Sequence, residues 1–127
     1  KNNSKSDDVK DLATYEEAVQ DFAEIGKRFD LPVKTYSSGM RARLVFACCI
    51  NIHFDIYLID EATSVGDPKF RRKARQALEV KAKQAGLIMV SHEMEQVREF
   101  CTSAIIIEDG QLNYYSDLEE GIAAYME

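Results

Sequence analysis

Residues 56–61 read Ile-Tyr-Leu-Ile-Asp-Glu, and residues 87–92 read Leu-Ile-Met-Val-Ser-His. Each is a continuous apolar run that ends in residues able to do chemistry. Such runs suit strands covered on both faces of a parallel sheet. Between them Pro68 stands where a first helical turn tolerates proline, which predicts a helix from there to about Gln84, stopped by Gly86. Strand, helix, strand in this order is a crossover unit, and its right-handed connection brings Asp60 and His92 to one edge of the sheet. Chemistry in such sheets collects beyond the carboxyl ends of the strands. The expected class is therefore α/β, with a mostly parallel sheet.

Working outward, residues 40–52 are apolar on every side past Arg43, which predicts a helix buried on most of its surface. Upstream, Thr14-Tyr15-Glu16-Glu17 has capping-box spacing, and Ala18, Val19, Phe22, Ile25 and Phe29 follow at helical intervals. An amphipathic helix is expected over 15–28, ended by Leu31-Pro32 because the residue before proline avoids the helical region. Residues 1–10 are polar and read as a frayed or cut end. Downstream, Ser91 is a fitting N-cap for a helix over 93–100, and Ala104 to Ile107 makes a third strand. Asp109-Gly110 is a hairpin turn into a strand over 112–115. Ser116-Asp117-Leu118-Glu119 is a second capping box that opens a terminal helix.

Composition narrows the functional classes. The 127 residues are 46% apolar and 30% charged, the balance of a globular domain. A net charge of -6 argues against a basic nucleic-acid binder. The longest apolar stretch, Leu44 to Ile50, falls far short of the roughly 20 residues of a membrane span. The first ten residues lack the apolar core of a signal peptide. Three cysteines, Cys48, Cys49 and Cys101, are too few and too odd for a disulfide framework and fit a reducing compartment. Cys48 and Cys49 read as core thiols, and Arg71-Arg72-Lys73 as a solvated helix face.

Several places could carry chemistry. Adjacent carboxylates at Asp60-Glu61 can divide their roles, one holding a divalent cation directly or through water and the other orienting a water. The plainer reading is a solvated strand end. His92 is an ordinary polar residue at a helix start, or a partner of that acidic pair across the shared edge. Ser37-Ser38-Gly39 is either a simple N-cap or an anion site, since free N–H groups and the helix dipole favour phosphate there. Ser64-Val65-Gly66-Asp67 fits plain turn chemistry.

The order of these motifs carries a resemblance. Tyr36-Ser37-Ser38-Gly39-Met40 resembles the signature of ABC transporter ATPases, usually LSGGQ, in the variant YSSGM. Residues 56–61 look like Walker B with its catalytic glutamate, residues 64–67 like the D-loop, and His92 like the switch histidine. YSSGMRARL followed by FDIYLIDEATSVGD resembles the ATPase subunits that export capsular and related cell-surface polysaccharides. A P-loop needs G-x-x-x-x-G-K-[ST], and the chain's Gly26-Lys27 has Asp21 and Arg28 at the flanking positions.

The resemblance implies the C-terminal portion of a P-loop NTPase-like ABC ATPase domain. Residues 1–35 would end the helical subdomain, and residues 36–127 would form the later part of the catalytic core. It implies ATP and Mg²⁺, with Asp60 helping to hold the metal through water, and catalytic roles for Glu61 and His92. Ser37, Ser38 and Gly39 would bind ATP in trans, held by a second copy in a head-to-tail dimer with Asp67 at the contact. An integral membrane permease would be the further partner, at the cytoplasmic face of the inner membrane, with no nucleic acid expected. This chain by itself is expected not to turn over ATP, to be marginally stable and to self-associate. Other readings stay open: a truncated interaction module or pseudo-ATPase, a soluble ABC-type ATPase not linked to export, or an unrelated receiver-like α/β module.

Overall fold

The computed structural model describes residues 4–60 and 66–127, with side chains from Asp11 onward. Its elements are α1 (Ser4–Ala23), two short 3-10 turns (Gly26–Asp30 and Val33–Thr35), α2 (Ser38–Asn51), β1 (Ile56–Asp60), α3 (Pro68–Ala82), β2 (Gly86–Val90), α4 (Met94–Phe100), β3 (Ala104–Glu108), β4 (Gln111–Tyr115) and α5 (Leu118–Met126). The chain divides into two compact units. One holds α1, α2 and α3 as far as Lys81; the other holds the strands with α4 and α5.

The helical unit is built on apolar side chains at helical spacing. Val19 and Ala23 of α1 pack on Ala47 of α2, with Tyr15, Phe22 and Leu44 at the margins. The Tyr15 hydroxyl donates to the Cys48 carbonyl at 2.9 Å. Phe22, Phe46 and Phe70 bring the three helices together, with ring centroids 5.9 to 6.1 Å apart. Phe70 is 1% exposed.

The ends of α1 differ from the expectation. Thr14 lies inside the helix rather than capping it, because no glycine or proline precedes Gly26 to halt helix upstream. The helix ends at Ala23, five residues early, with Glu24 at a left-handed φ of 50°. Lys73 of α3 explains this stop. Its ammonium donates to the carbonyls of Asp21 and Phe22 and to Glu24 Oε1, at 3.0 to 3.1 Å, and lies 4.6 Å from the Phe22 ring centroid. Lys73 is thus a tertiary cap, not part of a solvated face. Helix α2 also departs from expectation. Ala47 and Ile50 are buried, but Val45 and Cys49 are exposed, so burial is confined to one side.

In the second unit β1 and β2 pair in parallel, with Ile56 opposite Gly86 and Asp60 opposite Val90. Tyr57 and Ile59 are buried while Ile56, Leu58, Ile88 and Val90 are exposed. The sheet is therefore covered on one face, whereas the apolar runs predicted cover on both. Among the described residues the parallel ladder also stops at two strands: β3 pairs with β4 in a separate antiparallel sheet. Closing a two-residue turn costs far less chain entropy than closing the longer loops to β1 or β2. Asp109 and Gly110 both have positive φ, 49° and 76°, the conformation of a primed hairpin turn. Helix α5 lies on this hairpin. A Cβ at Gly121 would come within 2.6 Å of Ala104 Cβ, so only glycine permits that approach. The cap of α5 is Asp117, whose carboxylate accepts from Glu119 N and Glu120 N at 2.9 and 3.1 Å; Ser116 does not serve.

Candidate functional site

The expected site residues fall into two groups, one in each unit. In the helical unit Ser37 caps α2. Its Oγ accepts from Met40 N at 3.2 Å, and its carbonyl accepts from Arg41 N. Helix geometry leaves the N–H groups of Ser38 and Gly39 without intrahelical acceptors. The Ser37 hydroxyl keeps its own proton to donate, and the Ser38 hydroxyl is a further donor. All three residues are exposed, and a Cβ at Gly39 would meet open space. Packing among the described residues therefore does not explain a glycine there. Tyr36, just upstream, is buried, and its hydroxyl donates to the Phe29 carbonyl at 2.8 Å, which fixes the approach to the cap.

Asp67 belongs to the same unit. Its Oδ1 accepts from Lys69 N and Phe70 N at 2.9 and 3.0 Å, so it is the N-cap of α3. Its Oδ2 accepts from Arg43 of α2. The Phe70 amide, then the charges of Arg43 and Lys69, hold its carboxyl below the usual carboxylate range. Sequence reading missed Arg43 as a bridging group. Its signal was a second basic residue, after Arg41, one turn past the Ser-Ser-Gly start and at the edge of an apolar run.

In the sheet unit Asp60 is the last residue of β1 and is exposed. Its register partner is Val90, and Ser91-His92 follow directly. Parallel pairing therefore puts Asp60 and His92 at the same edge, as the crossover predicted. Ser91 Oγ accepts from Glu93 N at 3.0 Å, so the serine builds the turn before α4, while Glu93 stands at the cap position without a side-chain cap. His92 is exposed. Bidentate contacts of 2.8 and 3.0 Å from Arg98 to Glu119 tie α4 to the start of α5. Glu61, and Ser64-Val65 of the expected D-loop, lie outside the described residues.

Among the described residues no cluster of three or more His, Cys, Asp or Glu could hold a metal ion. Mg²⁺ keeps several waters and takes one or two carboxylates together with substrate phosphates. The exposed Asp60 carboxylate at the strand end fits such a role. No described helix is long and apolar enough to cross a membrane.

Comparison with known proteins finds relatives across most of the chain. The chain is 41% identical over 123 residues to the polysialic acid transport ATP-binding protein KpsT of Escherichia coli, across 96% of this chain and 54% of that protein. Homologues over 84 to 96% of the chain are ATP-binding proteins of polysialic acid transport and of capsule polysaccharide and teichoic acid export. The capsule polysaccharide export ATP-binding protein CtrD of Neisseria meningitidis is 38% identical over 84% of the chain and 50% of its own length. The teichoic acids export ATP-binding protein TagH of Staphylococcus haemolyticus is 47% identical over 84% of the chain and 41% of its own length. No protein-family model matches. The chain thus spans about half the length of the first of these relatives. The resemblance read from YSSGM and residues 56–61 is the one these homologues bear out, and the mixed α/β structure is consistent with part of such a domain.

Proposed function

We propose that the 127 residues are the signature-bearing, later part of an ATP-hydrolysing domain that energises export of a cell-surface polysaccharide. Residues 1–35 would complete the helical subdomain, and residues 36–127 would form the later catalytic core. The observation that carries this reading is an open, capped helix start at Ser37-Ser38-Gly39 in a chain 41% identical to a polysialic acid transport ATP-binding protein. In this reading ATP is the substrate, and two copies meet head to tail around it, with Asp67 near their contact.

Each group then has a defined task. The Ser38 and Gly39 N–H groups and the Ser37 and Ser38 hydroxyls bind the terminal phosphate of ATP held by the partner copy, where the dipole of α2 adds to their attraction. The lack of a side chain at Gly39 lets the phosphate reach the backbone. Glu61 orients the attacking water and accepts its proton. His92 contacts the terminal phosphate from the same sheet edge as Asp60. Asp60 would hold Mg²⁺ through water, and that ion would neutralise charge on the phosphates. Hydrolysis removes the phosphate that joins the copies, so the dimer opens and moves a membrane permease at the cytoplasmic face of the membrane.

The test uses the full-length protein. Glu61→Gln keeps the side-chain shape but is a far poorer base. It is expected to stop steady-state ATP turnover while nucleotide affinity is retained. Equal turnover in variant and parent, or loss of nucleotide binding, would overturn the assignment.

A further inference from the structure

Arg43 stands one helical turn past Gly39 on α2 and makes two contacts at once. Its Nη2 donates to Asp67 Oδ2, and its guanidinium carbon lies 4.8 Å from the centroid of the Phe70 ring. The Arg43 side chain is 18% exposed and that of Asp67 51%, so the pair is sheltered on the arginine side and open to solvent on the carboxylate side. Asp67 meanwhile spends Oδ1 on the first turn of α3. One carboxylate thus starts α3 and holds α2. The approach to Asp67 is equally constrained: Gly66 has a φ of 84°, and a Cβ there would come within 3.0 Å of the Phe70 ring. A planar guanidinium pairs with the carboxylate through its edge while its flat face stacks on the ring, a geometry that an ammonium reproduces only in part.

We propose that Arg43 is a positioning residue of the anion site, fixing the first turn of α2, and Ser37–Gly39 with it, against the start of α3 through Asp67 and Phe70. The inference rests on the reading of Ser37–Gly39 as the partner's phosphate site. Four donors must converge on one phosphate, and small misplacement of such a set slows chemistry more than it weakens capture of a nucleotide held largely elsewhere. Loss of Arg43 therefore falls on turnover.

The experiment is a double-mutant cycle in the full-length protein with Arg43→Met, Asp67→Asn and the pair, plus Arg43→Lys. Asparagine still caps α3 but carries no charge. Arg43→Met is expected to lower kcat about ten- to a hundredfold with KM for ATP nearly unchanged. The double variant should be no worse than Arg43→Met alone, because both remove one interaction. Arg43→Lys should recover part of kcat. All rates are read well below each variant's unfolding midpoint, so a merely structural role would leave them unmoved. If Arg43→Met does not fold, Arg43→Lys against Asp67→Asn carries the same comparison. Unchanged kcat in the folded variants, additive losses, or a loss confined to KM would overturn the proposal. Glu61→Gln runs alongside. Turnover that survives there overturns the functional reading and this inference together; turnover lost there but kept in Arg43→Met overturns this inference alone.

Discussion

Replacing Phe70 by alanine tests the packing on which the helical unit depends. Phe70 is 1% exposed, meets Phe22 and Phe46 edge-on at 5.9 and 6.1 Å, and lies beneath the Arg43 guanidinium. Burying such a side chain is worth about 1.5–3 kcal/mol. The two edge-to-face pairs add about 0.5–1.5 kcal/mol each, and the cation over the ring about 0.5–1 kcal/mol. The lower half of that sum coincides with the roughly 3–5 kcal/mol measured when buried phenylalanines become alanine. Phe70→Ala should therefore cost about 4 kcal/mol, and Phe70→Leu, which keeps apolar burial and loses the ring terms, about 2 kcal/mol. Urea denaturation of the full-length protein reads both as a lowered midpoint at constant slope. A cost below about 1 kcal/mol for Phe70→Ala would refute the three-ring core. Equal costs for alanine and leucine would refute the share given to the ring contacts.

Other consequences are open to direct measurement. Gly121→Ala should destabilise by about 1–3 kcal/mol through collision with Ala104; unchanged denaturation would mean that α5 does not seat there. Maleimide labelling at neutral pH, read by peptide mass, should modify exposed Cys49 ahead of half-buried Cys48 and Cys101. Burial pushes the Cys101 thiol pKa up, so labelling of Cys101 first would contradict its placement. The hydrogen bond and charge of Lys73 hold the Glu24 carboxyl below its ordinary value of 4.5. Its stabilising effect is therefore full above that ordinary value and is lost as pH falls through the lowered folded value. Glu24→Gln should flatten the acid limb of the stability profile, and an identical limb in variant and parent would count against the contact.

What was legible in the sequence was local. The apolar runs marked β1 and β2, the Asp109-Gly110 pair marked the hairpin, and Ser37 marked the cap of α2, because each signal lies within a few residues of what it decides. The shared edge of Asp60 and His92 also followed, since crossover handedness is nearly invariant. Misses came where distant residues decide. The end of α1 is set by Lys73, 49 positions beyond Glu24, and no periodicity in residues 15–28 signals it. Asp67 looked like a turn residue, while its tie to Arg43 depends on how α2 and α3 pack. One-sided cover of β1 was equally hidden, since an apolar run does not say which of its faces is covered.

ATP-dependent association of full-length Glu61→Gln, with and without Ser37→Arg, tests most directly whether two copies build the site. Light scattering gives the mass in solution, and nucleotide binding is measured on the same samples. The account predicts that Glu61→Gln becomes dimeric on adding ATP. Adding Ser37→Arg should leave nucleotide affinity intact but keep the protein monomeric, because the arginine fills the place of the partner's terminal phosphate. A dimer that persists with Ser37→Arg, or a monomer that loses ATP binding, would contradict a signature acting in trans.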